Sequence, residues 1–235
     1  MPEPEATLLL TRPMRESQRF AQLARSRIPA LSEVVVSPIF EIEALDPVVD
    51  PDLFGTLVFT SANAVRVLSE QHDIAGRIAI CVGDKTASTA GMLGMKSISA
   101  NGTASDLVDL IETVRPRTPL LHVRGAQARG RVADRLNAAG LATQEAIVYR
   151  QVPKTLSAEA GAVLRSDDPV VLPVFSPRSA SLLSEEIPET GGPLHVVAMS
   201  DAVAEAWVAR KDTLRKAGTP DAGAMVDQLA PFFPA

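Results

Sequence analysis

Short apolar runs rich in β-branched residues alternate with Ala-rich, charged segments of helical length along the whole chain. The runs predict strands at residues 7–10, 33–37, 56–60, 77–82, 96–98, 119–123, 143–148, 169–175 and 194–199. The segments between and after them predict helices at 14–27, 62–70, 85–93, 104–113, 129–139, 157–165, 177–185, 201–210 and 221–229. The runs are continuously apolar (LVF, IAICV, LLHV, VVLPVF, HVVAM), as expected of strands buried on both faces. Strict β-α-β alternation then means parallel sheets with helices on both sides. Nine strands could make one sheet, but the chain length favours two. Pro173 inside one run predicts an edge strand or a bulge.

An internal repeat supports two sheets. Val58-Phe59-Thr60-Ser61-Ala62-Asn63-Ala64 resembles Val174-Phe175-Ser176-Pro177-Arg178-Ser179-Ala180, with Phe59 and Phe175 116 positions apart. Gly102-Thr103 resembles Gly218-Thr219 at the same offset, and Ile80-Cys81-Val82-Gly83 resembles Val197-Ala198-Met199-Ser200 one position out of register. Three matches in order at nearly one offset indicate a duplicated unit. The second copy lacks opening strands, and residues 1–37 can supply them. The expected organisation is therefore a discontinuous α/β domain of residues 1–37 and 153–235, an inserted α/β domain of residues 42–147, and crossings at 38–41 and 148–152. Both crossings read as extended, one beginning with Pro38 and the other followed by Pro153. Two adjacent crossings make a hinge.

Composition narrows the class. The chain has 235 residues, 46% hydrophobic and 22% charged, so it can bury a core and is not disordered. Mean hydropathy is +0.12. That surplus is spread along the chain, and no uncharged apolar run nears the ~20 residues that cross a bilayer, so no membrane association is expected. A net charge of −5 argues against nucleic-acid partners. Cys81 is the only cysteine, which excludes an internal disulfide and a Cys-based zinc site. The acidic first residues lack the features of a signal peptide, and a cytoplasmic location is expected.

The candidate chemistry recurs at one kind of place. Strands end in small polar residues that open helices: Thr11-Arg12-Pro13, Thr60-Ser61, Gly83-Asp84-Lys85-Thr86, Arg124-Gly125 and Ser176-Pro177. Such residues cap helices. The same N–H groups and dipole ends also collect carboxylates or phosphates. Five of them in two facing domains suggest an anion-binding cleft. No dinucleotide fingerprint, P-loop or nucleophile elbow is present. Gly125 to Arg131 has P-loop glycine spacing but lacks its Lys-Ser/Thr. His122 and His195 fall inside predicted strands and read as core residues, as does an inert Cys81. Tyr149, the only tyrosine, falls at a crossing. It could pack at the domain joint, or face the cleft as a proton donor.

In that order, Thr11-Arg12-Pro13, Phe59-Thr60-Ser61, Val82-Gly83-x-x-Thr86-Ala87, Val148-Tyr149-Arg150 and Phe175-Ser176-Pro177 resemble the uroporphyrinogen-III synthases across almost the whole chain. The resemblance implies two flavodoxin-like parallel-sheet domains joined by a two-stranded linker. It implies a monomeric enzyme with no metal and no cofactor. This enzyme would convert the linear tetrapyrrole hydroxymethylbilane to uroporphyrinogen III with loss of water and inversion of ring D, and would meet hydroxymethylbilane synthase at most transiently. Carried over residue by residue, it places Tyr149 as the catalytic group. It places Thr11, Arg12, Thr60, Ser61, Asn63, Gly83, Lys85, Thr86, Ala87, Arg124, Gly125, Ser176, Pro177, Arg178, Ser179 and Ser200 around a substrate with eight carboxylates. One turn departs: Ser200-Asp201-Ala202-Val203 has Val where the family has Thr. That departure keeps open a rival, a hinged anion-binding or sensor protein on the same scaffold.

Overall fold

The computed structural model describes residues 6–127 and 130–234. Arg129, at the expected start of one helix, lies outside the described residues. The chain divides into two compact units: one ends at Glu41 and resumes at Pro153, and the other is Ile42–Val152.

The first unit contains β1 (Thr7–Leu10), α1 (Met14–Arg27) and β2 (Val34–Val36). The second holds most of β3 (Phe40–Ala44), then β4 (Thr56–Phe59), α2 (Ala62–Gln71), β5 (Ile78–Cys81) and α3 (Asp84–Met92). It continues with β6 (Lys96–Ser99), α4 (Ala104–Val114), β7 (Leu120–Gly125), α5 (Val132–Ala138) and most of β8 (Thr143–Pro153). The first unit resumes with α6 (Ala158–Arg165), β9 (Val170–Val174), α7 (Pro177–Glu186) and β10 (Leu194–Ala198). It closes with α8 (Asp201–Glu205), β11 (Thr213–Lys216) and α9 (Ala222–Leu229).

The first sheet runs β2-β1-β9-β10-β11, all parallel. Numbered within its unit this is the flavodoxin-like order 2-1-3-4-5. The second runs β3-β8-β7-β4-β5-β6, parallel from β8 to β6. Setting β3 aside, the two sheets are the same arrangement circularly permuted: β4-α2-β5-α3-β6-α4 matches β9-α7-β10-α8-β11-α9. In each sheet the strand order reverses direction once, between β1 and β9 and between β7 and β4. Ligands of open α/β sheets sit at that reversal, beyond the carboxyl ends of the strands.

Burial explains the elements. In the second unit Leu57, Phe59, Leu121 and Val123 face a core under α2 and α3. Val58, Ile80 and Leu120 face the opposite one, with α4 and α5 residues Leu107, Ile111, Val132 and Leu136. Central strands buried on both sides need the unbroken apolar runs read from the sequence.

Three expectations are corrected. The helix expected over 201–210 stops at Glu205. Trp207 is buried there with its Nε1–H on Ala209 O at 3.1 Å, and Arg210 ties Pro188 O, Gly192 O and Leu164 O. Those bonds hold the segment in turns. The chain then adds β11, a strand not expected, because an edge strand reading Thr-Leu-Arg-Lys carries one apolar residue. Pro173 is neither on an edge strand nor at a bulge: β9 is central and pairs in register with β10. Val170 N–H and Val174 O both bond toward β10, so Pro173 points toward β1. Pairing to β1 has already stopped at Leu8–Val171, so no ladder bond is lost.

Candidate active site

In the second unit the strand-order reversal brings together the ends of β4 and β7. Thr60 and Ser61 follow β4. Ser61 caps α2: its Oγ accepts from Asn63 N–H at 3.2 Å, while Asn63 Oδ1 accepts from Arg66 at 3.1 Å. Tyr149 reaches the same hydroxyl from β8, its phenol donating to Ser61 Oγ at 3.1 Å. A β-bulge makes this possible. Arg124 pairs with Ile147 but Gly125 with Tyr149, so Val148 is an extra residue. Val148 and Tyr149 therefore turn to the same core instead of opposite faces. The ring lies directly on Gly125, where a Cβ would stand 2.4 Å from the Tyr149 Cζ. Only glycine admits that approach. Burial raises the phenol's pKa and the Ser61 bond opposes this, so the phenol holds its proton at neutral pH. Tyr149 is both core ring and polar group: 7% exposed, with its hydroxyl at the strand ends.

Behind Thr60 stands a polar chain in the opposite layer. Thr60 Oγ1 lies 3.3 Å from His122 Nε2, and His122 Nδ1 lies 3.3 Å from Glu145 Oε1. Nδ1 makes no well-aligned hydrogen bond, and Glu145 is its ion-pair contact. Arg124 grips the same carboxylate with Nε at 2.8 Å and Nη2 at 2.9 Å. Burial pushes the His122 pKa down to about 4, Glu145 opposes, and the ring is neutral at pH 7. The sequence alone reads His122 as inert core. It is buried, but its ring links a strand-end hydroxyl to a carboxylate. The sequence signal is strand parity: His122 pairs with both Val58 and Glu145, two residues before Thr60 and Arg124 on the same face.

The next strand end, Gly83, caps α3 without a side-chain bond, and Asp84 occupies the first turn. Thr86 and Ala87 are buried, and Lys85 is exposed. Burial drives the Cys81 thiol up to about 12, which keeps it inert. Away from the strand ends, Asp50, Asp52 and His72 bring possible metal ligands within 4.8 Å of one another. Asp52, however, is paired with Arg77 at 3.1 Å.

The reversal in the first unit is different. Thr11 is buried at the end of β1, and Arg12 lies over the Phe175 ring at 4.3 Å. Burial lowers the Arg12 pKa and Glu16 opposes. Ser176 caps α7, accepting from Ser179 N–H at 3.1 Å, with the two hydroxyls 2.8 Å apart. Pro177 opens the helix, and the buried Arg178 Nε has no hydrogen-bond partner among the described residues. Ser200 precedes a five-residue helix without capping it by its side chain, and Val203 is buried. Thr11, Arg12 and Ser176 to Ser179 thus share one unit, and Thr60, Ser61, Asn63, Arg124, Gly125 and Tyr149 share the other.

A family model described as uroporphyrinogen-III synthase HemD matches residues 30–227. The chain belongs to the uroporphyrinogen-III synthase family. The synthase fold is found in solved structures. One, uroporphyrinogen-III synthetase of Helicobacter pylori, has a TM-score of 0.68 at 16% identity, over 96% of this chain and 99% of that one. A mutant uroporphyrinogen III synthase of the extremely thermophilic bacterium Thermus thermophilus has a TM-score of 0.51 at 15% identity, over 97% and 98%. At such identities the likeness is one of fold. No curated protein matches the chain. Among the described residues of this synthase-family chain, no helix is long and apolar enough to cross a membrane.

Proposed function

We propose that this protein closes hydroxymethylbilane to uroporphyrinogen III. The hydroxyl on ring A takes up a proton and leaves as water, which leaves an azafulvenium cation; a proton is released again when the closed macrocycle regains its pyrrole aromaticity. Ring D attacks through its substituted carbon to give a spiro intermediate. Fragmentation and reclosure invert ring D, and the net loss is one water. Spontaneous closure gives the uninverted isomer, so the protein's task is to hold geometry and to release the hydroxyl.

The observation that carries this reading is the Tyr149–Ser61 pair at the strand-order reversal of a synthase-family chain. Ser61 Oγ already accepts two hydrogen bonds, from Tyr149 and from Asn63 N–H. Its own hydrogen is what remains to offer. Ser61 therefore donates to the departing hydroxyl and Tyr149 supports it from behind, the phenol being protonated at neutral pH. The Arg12 and Arg178 guanidiniums of the other unit suit a substrate with eight carboxylates. A cytoplasmic monomer without cofactor, receiving substrate from hydroxymethylbilane synthase, completes the proposal.

The test is the isomer formed from hydroxymethylbilane. Isomer III from the wild-type protein is expected, and isomer I alone would favour a ligand-binding protein without turnover. Tyr149→Phe keeps the ring on Gly125 and removes one oxygen. It should lower kcat by about 10²–10⁴ with little change in melting temperature. Turnover near wild type would leave Tyr149 as a packing residue.

A further inference from the structure

We propose that Arg124, Glu145 and His122 fix the Thr60 hydroxyl as a hydrogen-bond acceptor toward ligand. Thr60 would then receive a pyrrole N–H of the substrate instead of donating to a carboxylate. The inference deepens the functional reading above and rests on it.

The polar chain is fixed from Glu145 inward. Its carboxylate is held by the two-point contact with Arg124, at 2.8 and 2.9 Å. His122 Nδ1, 1% exposed as a side chain, faces Glu145 Oε1 at 3.3 Å. A bare ring nitrogen there would set a lone pair against a carboxylate, so Nδ1 carries the proton. In a neutral ring Nε2 is then an acceptor, and the group it meets at 3.3 Å is Thr60 Oγ1. Thr60 gives its single proton to Nε2. The half-buried hydroxyl keeps only lone pairs for a ligand.

The next residue has the opposite polarity. Ser61 Oγ has both acceptor positions filled and only a donor left. Adjacent hydroxyls thus form an acceptor–donor pair. A hydroxymethylpyrrole presents the complement, a ring N–H and a hydroxyl that must leave. The N–H becomes a stronger donor as the ring turns cationic, so the Thr60 contact tightens toward the transition state. Thr60 is a catalytic contact in this scheme, and His122 is a positioning residue.

Two measurements test it. Nitrogen-15 spectra of the whole protein with labelled histidine, assigned by the signal missing from His122→Phe, should show a neutral Nδ1–H tautomer at pH 7. An Nε2–H tautomer or an imidazolium would overturn the polarity. Kinetics on hydroxymethylbilane should show kcat for Thr60→Val down about 10–100-fold with KM nearly unchanged, and Thr60→Ser restoring most of it. A raised KM with unchanged kcat would instead make Thr60 a carboxylate donor and overturn the assignment. Failure of the functional reading shows separately, as wild-type protein that forms no isomer III, and the tautomer still decides the relay.

Discussion

The two strand-order reversals share a topology and differ in chemistry. In the Ile42–Val152 unit the reversal holds a phenol, a neutral imidazole and two hydroxyls, and the guanidiniums of Arg124 and Arg66 are engaged by Glu145 and Asn63. In the other unit it holds Arg12 over Phe175 and Arg178 with an unpaired Nε, and no histidine or tyrosine there contacts a strand-end hydroxyl among the described residues. The same strand-order reversal occurs twice. On the proposed function, one copy would manage protons and the other would attract carboxylates. The difference comes from a few positions: the bulge at Val148, Gly125 beneath the ring, and His122 on β7. The strand equivalent to β7 in the first unit is β1, whose residues Leu8, Leu9 and Leu10 are all fully buried and apolar.

The largest effect expected of this contrast is the part of the pH dependence of stability that His122 contributes. Burial holds its folded pKa at about 4, below the ordinary 6.5. Between those values the unfolded chain binds a proton that the folded chain refuses. Stability is therefore complete above pH 6.5 and falls as pH drops toward 4, by on the order of 3 kcal/mol. The charged groups facing the ring are Glu145 on β8 and Arg124 on its own strand, with the Thr60 hydroxyl beyond β4. Denaturant midpoints at a series of pH values should show wild type losing stability relative to His122→Phe as the pH falls over this range. Parallel curves would mean that His122 is not held neutral.

Gly125→Ala strikes the second distinguishing feature. A methyl group at 2.4 Å from Tyr149 Cζ cannot coexist with the present ring position. Such overpacking costs about 1–3 kcal/mol and would move the phenol off Ser61. Gly83→Ala is the control, because a Cβ there meets nothing within 4 Å and the backbone is extended. A large fall in stability and turnover for Gly125→Ala, with near-neutral stability for Gly83→Ala, is expected. Equal behaviour of the two would remove the case for a ring seated on Gly125.

Most of the layered α/β fold was legible in the sequence because buried central strands must be apolar on both faces. The edge was not: β11 has one neighbour and mostly polar residues, and nothing in its pattern separates it from a loop. The repeat would have revealed it, since β6 plus 116 positions falls on β11. At the candidate site, local signals named Thr60, Ser61 and Tyr149, because strand-end hydroxyls and a lone tyrosine stand out along the chain. They could not name Glu145 or give His122 a role. Those depend on register between β4, β7 and β8, and on a bulge that leaves no mark in composition.

The smallest effect sharpens the comparison most directly, through two matched cap removals. Ser61 and Ser176 each cap a helix of ten residues at a strand-order reversal, α2 and α7. Ser61 Oγ accepts from Asn63 N–H at 3.2 Å, and Ser176 Oγ from Ser179 N–H at 3.1 Å. Replacing either with Ala loses one cap, worth about 1 kcal/mol of stability. Melting temperatures of the two variants should therefore drop by similar amounts. Turnover should not. Ser61 is the partner of the Tyr149 phenol, so Ser61→Ala removes the terminal donor and should lower kcat. Among the described residues the Ser176 hydroxyl meets that of Ser179, at 2.8 Å, so Ser176→Ala should act through KM by weakening the hold on a carboxylate. If kcat falls equally in both variants at equal stability, the two reversals share the chemistry, and the division into a proton-managing copy and a carboxylate-attracting copy fails.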